Sequence, residues 1–172
     1  RGIDRLNQSV GLFTTWLILA TTLISAGNAI VRKAFDSSSN ALLEIQWYLF
    51  AAVFMLGSGY AFLRNAHVRI DFISSKFSAR GRNWVDVIGI IVFVFPLCYM
   101  MATLGWPLFV NAYESGEMSS NAGGLIRWPV YALVPLGFGL LMLQGVSELI
   151  KRLGFLQGLI EDPTVKKAEK TA

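Results

Sequence analysis

Residues Val87–Tyr113 read VIGIIVFVFPLCYMMATLGWPLFVNAY, and no Asp, Glu, Lys, Arg or His interrupts them. About 20 apolar residues in an α-helix cross the hydrocarbon core of a bilayer. Three more windows share the property: Leu6–Val31, Ile45–Leu63 and Trp128–Ser147. A membrane-spanning barrel would show short alternating segments, whereas these runs are continuous. The sequence therefore predicts an all-α membrane protein of four transmembrane helices. The whole chain agrees: 54% of its 172 residues are hydrophobic and 15% charged, against about 25% charged in a soluble domain.

The window ends carry amphipathic rings suited to the headgroup layer. Trp47 and Tyr48 open the second window, Trp84 precedes the third, Tyr113 closes it, and Trp128 and Tyr131 open the fourth. Pro129 falls in a first helical turn, where its missing N–H costs little. Pro96, Pro107 and Pro135 fall inside helices and are expected to kink them. The chain opens on Arg1, so its natural N-terminus is expected to lie upstream. The first run exceeds a signal-peptide core of roughly 7–15 residues and reads as a retained helix.

Charge in the connections sets an expected orientation. The N-terminal stub, second connection and C-terminal segment together hold 12 Lys and Arg, against 3 in the other two connections. The positive-inside rule puts the first set, with both termini, in the cytoplasm. A formal net charge of +4 sits beside apolar runs, so the expected electrostatic partner is the lipid headgroup layer and not nucleic acid.

The second connection holds a further expected element. Asp71 stands as an N-cap, Phe72, Ile73 and Phe77 follow at helical spacing among Lys76 and Arg80, and Gly81 stands at a C-terminal stop. This predicts a short amphipathic helix in the membrane interface, anchored by those three apolar residues. Residues 1–157 are then expected to form the transmembrane domain, and 158–172, with a lysine run, a disordered cytoplasmic tail.

The polar residues embedded in the windows include Thr14, Thr15, Thr21, Thr22, Ser25, Gln46, Ser58, Thr103, Asn111 and Gln144. Such groups serve helix packing more often than a substrate. Proton-coupled carriers keep ionisable groups within the membrane, and these windows hold none. Glu44, beside Trp47 at a window edge, is expected in the first turn of helix two, complementing the helix dipole or touching a partner chain. His67 is the sole histidine and Cys98 the sole cysteine. A bis-histidine haem and an intrachain disulfide are excluded, and no cofactor or metal is expected. Gly57 with Ala61, and Ser25 with Ala29, form small-xxx-small pairs that permit close helix approach. The third connection, with Glu114 and Glu117, is polar and acidic, either a solvated loop or a docking surface.

The order of these features resembles the DctQ-type small permease subunits of tripartite ATP-independent periplasmic (TRAP) transporters. The resemblance runs from about Leu12 to Gly154 and is densest from Glu44 to Trp84. There Phe54–Leu63 reads FMLGSGYAFL, Arg64 follows, and His67, Val68, Arg69 and Asp71 form an H-V-R-x-D element. Glu114 and Glu117, then Trp128-Pro129 and Pro135-Leu136-Gly137, fit the second half. The resemblance implies a non-catalytic scaffold beside a large membrane subunit. It further implies a periplasmic solute-binding protein and sodium-driven import of an organic solute, expected to be a carboxylate, across a bacterial inner membrane. Glu44, Trp47, Gly57, Ala61, Glu114 and Glu117 are the candidate partner contacts. The alternatives are an anchor or accessory subunit of another membrane complex, or an independent small carrier.

Overall fold

The computed structural model describes residues 2–35, 39–64 and 77–163. Its helices are α1 (Gly2–Phe35), α2 (Asn40–Arg64), α3 (Ala79–Gly89), α4 (Phe95–Ser115) and α5 (Trp128–Leu156). A π-helical turn, Ile90–Val94, joins α3 to α4. Together they make one long third span, Ala79–Ser115, and all four spans are long and apolar enough to cross a membrane.

The π-turn has a local cause. Pro96 has no N–H, and its ring crowds the carbonyl one turn back. Widening the preceding turn relieves that crowding, and Phe95 N–H bonds to Ile90, five residues back. Helix α4 stops at Gly116, whose φ of 62° is left-handed. The Glu117 N–H then reaches Ala112 C=O at 3.1 Å and Gly116 reaches Tyr113 at 3.4 Å, which is the Schellman arrangement.

The spans pack as a row and not as a closed square. Helix α1 lies on α2, α2 on α5 and α5 on α4, with a smaller α1–α5 contact. In lipid, helices gain little from burying more hydrocarbon, so association depends on close fit. Glycines supply it at each crossing. A Cβ on Gly137 would stand 2.6 Å from the Met55 carbonyl oxygen, and one on Gly105 would stand 2.8 Å from Val134 Cγ1. Gly11 makes room for the Tyr60 ring, and Gly59 for Asn7. The outward faces are large and apolar: Trp16 is 69% exposed and Phe93 71%. Water would penalise such a surface, whereas lipid is its natural solvent. The hydroxyls of Thr14, Thr15, Thr21, Thr22, Ser58 and Thr103 bond carbonyls of their own helices, as does Gln46.

Two expected boundaries move. Ser78 Oγ accepts the Gly81 N–H at 3.2 Å and caps α3. Gly81 therefore stands in the first turn of a helix that continues into the membrane, not at the stop of an interfacial one. His67, Val68, Arg69, Asp71, Phe72 and Ile73 lie outside the described residues; Phe77 is described and half-exposed. The expected tail, 158–172, is described only to Pro163. Gly158, at φ 75°, turns the chain, and Asp162 reaches back to α3 through Asn83 Nδ2 at 3.3 Å.

Candidate functional site

Polar chemistry concentrates at the two ends of the helical row. At one end, residues 117–127 form a tight hairpin. Ser119 N–H bonds to Leu125 C=O and Arg127 N–H to Glu117 C=O, both at 2.9 Å, around an isolated Met118–Ile126 bridge. Gly124 N–H closes the turn on Asn121 C=O at 2.9 Å.

Helix α2 holds this hairpin from beneath. Asn40, Glu44 and Tyr48 recur every fourth residue and so share one helix face. Asn40 Nδ2 donates to Ala122 C=O at 2.9 Å, and Tyr48 Oη donates to Ile126 C=O at 3.3 Å. Between them, the Glu44 carboxylate accepts Leu125 N–H at 2.6 Å on one oxygen. On the other it accepts Asn121 Nδ2 at 2.8 Å and the Ser119 hydroxyl. Glu44 is 2% exposed. It sits beyond the first turn of α2, which carries no acidic residue. The helix-dipole expectation is corrected: hydrogen bonding to a hairpin some 75–81 residues away holds this carboxylate.

Arg127 ends the hairpin. Its Nη1 lies 3.3 Å from Tyr131 Oη and 3.6 Å from Glu117 Oε1. The Tyr131 hydrogen bond, aided by Glu117, strengthens proton binding by the guanidinium, which stays cationic.

The opposite end joins the start of α1, the start of α3 and the last turns of α5. Asp4 Oδ1 accepts Lys151 Nζ and Ser147 Oγ, each at 2.8 Å, and Gln144 Nε2 at 3.1 Å. Gln144 Oε1 accepts Asn7 Nδ2 at 3.0 Å, and Gln144 Nε2 also reaches Glu148 Oε1 at 3.2 Å. Glu148, fully buried, takes Lys151 Nζ at 3.0 Å on one oxygen and Arg152 Nη1 at 2.6 Å on the other. Arg152 also faces Asp86, with Nη2 2.9 Å from Oδ2. Burying charge is tolerated only with such partners. The charge-free window ends at Ser147, and α5 runs on to Leu156 and buries Glu148 and Arg152. The spacing Gln144, Ser147, Glu148, Lys151 is the i, i+3, i+4, i+7 signature of one helix face. It was visible in the sequence and is polar where an apolar stripe would mark a packing face.

The remaining candidates separate. Trp47 is half-exposed, and Glu114 and Glu117 are exposed beside the hairpin. Gly57 faces Thr14 inside the α1–α2 crossing, where a Cβ would lie 3.8 Å from Oγ1, and Ala61 is partly covered. Ser25 and Ala29 face outward on α1.

A search of curated proteins returns no match to this chain. A family profile described as tripartite ATP-independent periplasmic transporters, DctQ component, matches residues 10–154. That match takes in most of every span, the hairpin and most of the buried ion-pair cluster, and the chain belongs to the DctQ family, the small membrane component of TRAP transporters.

Proposed function

We propose that this chain is the fixed, non-catalytic scaffold of a sodium-driven importer of an organic solute, a carboxylate by family pattern. Its partners are the large membrane subunit and a periplasmic solute-binding protein. It resides in a bacterial inner membrane with both termini cytoplasmic, as the 12-to-3 division of Lys and Arg supports. The hairpin and Glu44 then lie at the periplasmic face, and the Asp4–Glu148–Arg152 cluster at the cytoplasmic one. Residues 1–157 are the membrane unit and 158–172 a cytoplasmic tail.

One observation carries the reading: the Thr21, Ser58 and Thr103 hydroxyls within the spans bond their own helices, while partnered carboxylates tie each end of the row, Glu44 to the hairpin at one and Asp4 and Asp86 to α5 at the other. A carrier must bind cargo differently in two states. A chain knotted at both ends suits a stationary frame against which another subunit moves. Glu114 and Glu117 offer an exposed acidic rim for the binding protein.

Reconstitution tests this. The chain alone in liposomes moves no solute under a sodium gradient, and transport appears once the large subunit and binding protein are added. Uptake by the isolated chain rejects the scaffold reading.

A further inference from the structure

Helix α3 is divided lengthwise. Asn83 is fully buried and its Nδ2 reaches Asp162 Oδ1 at 3.3 Å, while Asp86 Oδ2 lies 2.9 Å from Arg152 Nη2. These contacts fix the rotation of the helix about its axis. Trp84, Val85 and Ile88 are then turned outward, with Phe77 just before the cap, and each is about half-exposed. Their spacing from Phe77, i+7, i+8 and i+11, puts them on one face. Arg80, exposed, borders one side of that face. Arg82 borders the other, its side chain 38% exposed and its Nη2 3.9 Å from Asp162 Oδ2. An apolar face with cations along both edges is the pattern of a helix seated in a headgroup layer.

Length supports the same placement. The third span, Ala79–Ser115, has 37 residues, about 55 Å of helix, whereas a bilayer with its headgroups measures about 40–45 Å. Tilting or bending takes up such an excess, and the π-turn at Ile90–Val94 is where this span is already distorted. We propose that α3 is a lipid-binding element: its apolar face lies in the membrane interface, and Arg80, with Arg82, engages anionic phospholipid headgroups. Charge complementarity selects that occupant. An apolar partner helix offers these arginines nothing, whereas a lipid phosphate accepts their N–H groups. The contact is read at Trp84 without transport, so it stands or falls separately from the scaffold role.

The test uses the purified full chain with Trp84 as its sole tryptophan, the others replaced by phenylalanine, in bilayers containing brominated lipid. Brominated phosphatidylglycerol quenches Trp84 in preference to brominated phosphatidylcholine, with a relative association constant of about fivefold for each arginine engaged. Arg80→Gln removes most of that preference, while quenching by brominated phosphatidylcholine persists. A chain keeping only Trp16, on the outward face of α1, shows no preference. Where the single-tryptophan chain does not fold, a nitroxide on Trp84→Cys, with Cys98 fully buried, reports lipid against water by its accessibility to oxygen and to a nickel chelate. Adding the large subunit leaves Trp84 quenched by lipid; loss of that quenching makes the face a protein interface and overturns the proposal. So does equal preference at Trp84 and Trp16, a preference untouched by Arg80→Gln, or a site 84 reached by aqueous acrylamide or nickel chelate and not by lipid or oxygen.

Discussion

Truncating Arg152 to alanine probes a buried ion-pair contact shared with Glu148 and Asp86. The residue is 2% exposed, with Nη1 2.6 Å from Glu148 Oε2 and Nη2 2.9 Å from Asp86 Oδ2. Removing one partner of a buried ion pair costs about 3–5 kcal/mol. The structure argues for the lower end. Lys151 still reaches the other Glu148 oxygen at 3.0 Å, and the Asp86 side chain is 14% exposed and so partly hydrated. A loss of about 3 kcal/mol is roughly a hundredfold in the folded-to-unfolded ratio. Unfolding of the purified chain by SDS in mixed micelles, followed by tryptophan fluorescence, measures it. Combining Arg152→Met with Glu148→Gln should recover at least half the loss, since removing both charges leaves no orphaned carboxylate at that contact. A single variant within about 0.5 kcal/mol of wild type, the range of ordinary surface changes, would refute the assignment of this cluster as a structural clasp.

Gly137→Leu forces a side chain onto the Met55 carbonyl, so it should lower the yield of folded chain far more than Gly139→Leu, whose Cβ meets open space; equal yields would count against the α2–α5 crossing. Gly57→Leu should destabilise the isolated chain through α1–α2, whereas Ala29→Leu, on the outward face of α1, should leave the chain stable and reduce co-purification of the large subunit; the reverse pattern would move the partner surface. A cysteine at Ala122 should react with an impermeant thiol reagent from outside and one at Leu159 only after permeabilisation, against a silent background because Cys98 is fully buried; labelling in the opposite sense would invert the topology. Spin labels at Phe72 and Ile73 should report lipid and one at Ser75 water, and equal exposure at all three would remove the interfacial anchor.

The fold was legible because the physics behind it is local. An uncharged run such as Val87–Tyr113 has to satisfy its own backbone in lipid, and only a helix does so within one segment. Pro96 likewise announced a disturbance, though not that it would take the form of a π-turn. The Glu44 contacts were not legible, since their partners stand some 75–81 residues away and no periodicity links them. Reading Glu44 from its neighbours gave a dipole effect; only the return of the hairpin over α2 shows the carboxylate buried. Glu148 and Arg152 were not singled out, for a different reason. A hydropathy window stops at the first charge, but a helix does not, and α5 carries both residues another turn or two inside the packed end.

The Glu44 contact and the buried cluster share a physical origin that bears on the function. Apolar faces cannot drive four helices together when the solvent is itself apolar, so glycine contacts set how closely the spans approach but do little to fix their order. Directional bonds must specify the arrangement, and they are strongest where water is excluded yet charges can still be supplied from the rim. That place is the end of the bundle, one turn beyond the lipid-facing run. Asp4 joins α1 to α5, Arg152 joins α5 to α3, and Glu44 joins α2 to the hairpin that leads into α5. Each span is thereby tied to another at an end, and the outward faces, which carry no such ties, stay apolar and available to lipid or to a partner helix. An independent carrier would need mobile polar groups at mid-membrane; this chain commits its charges to its ends, which is where a frame has to be held.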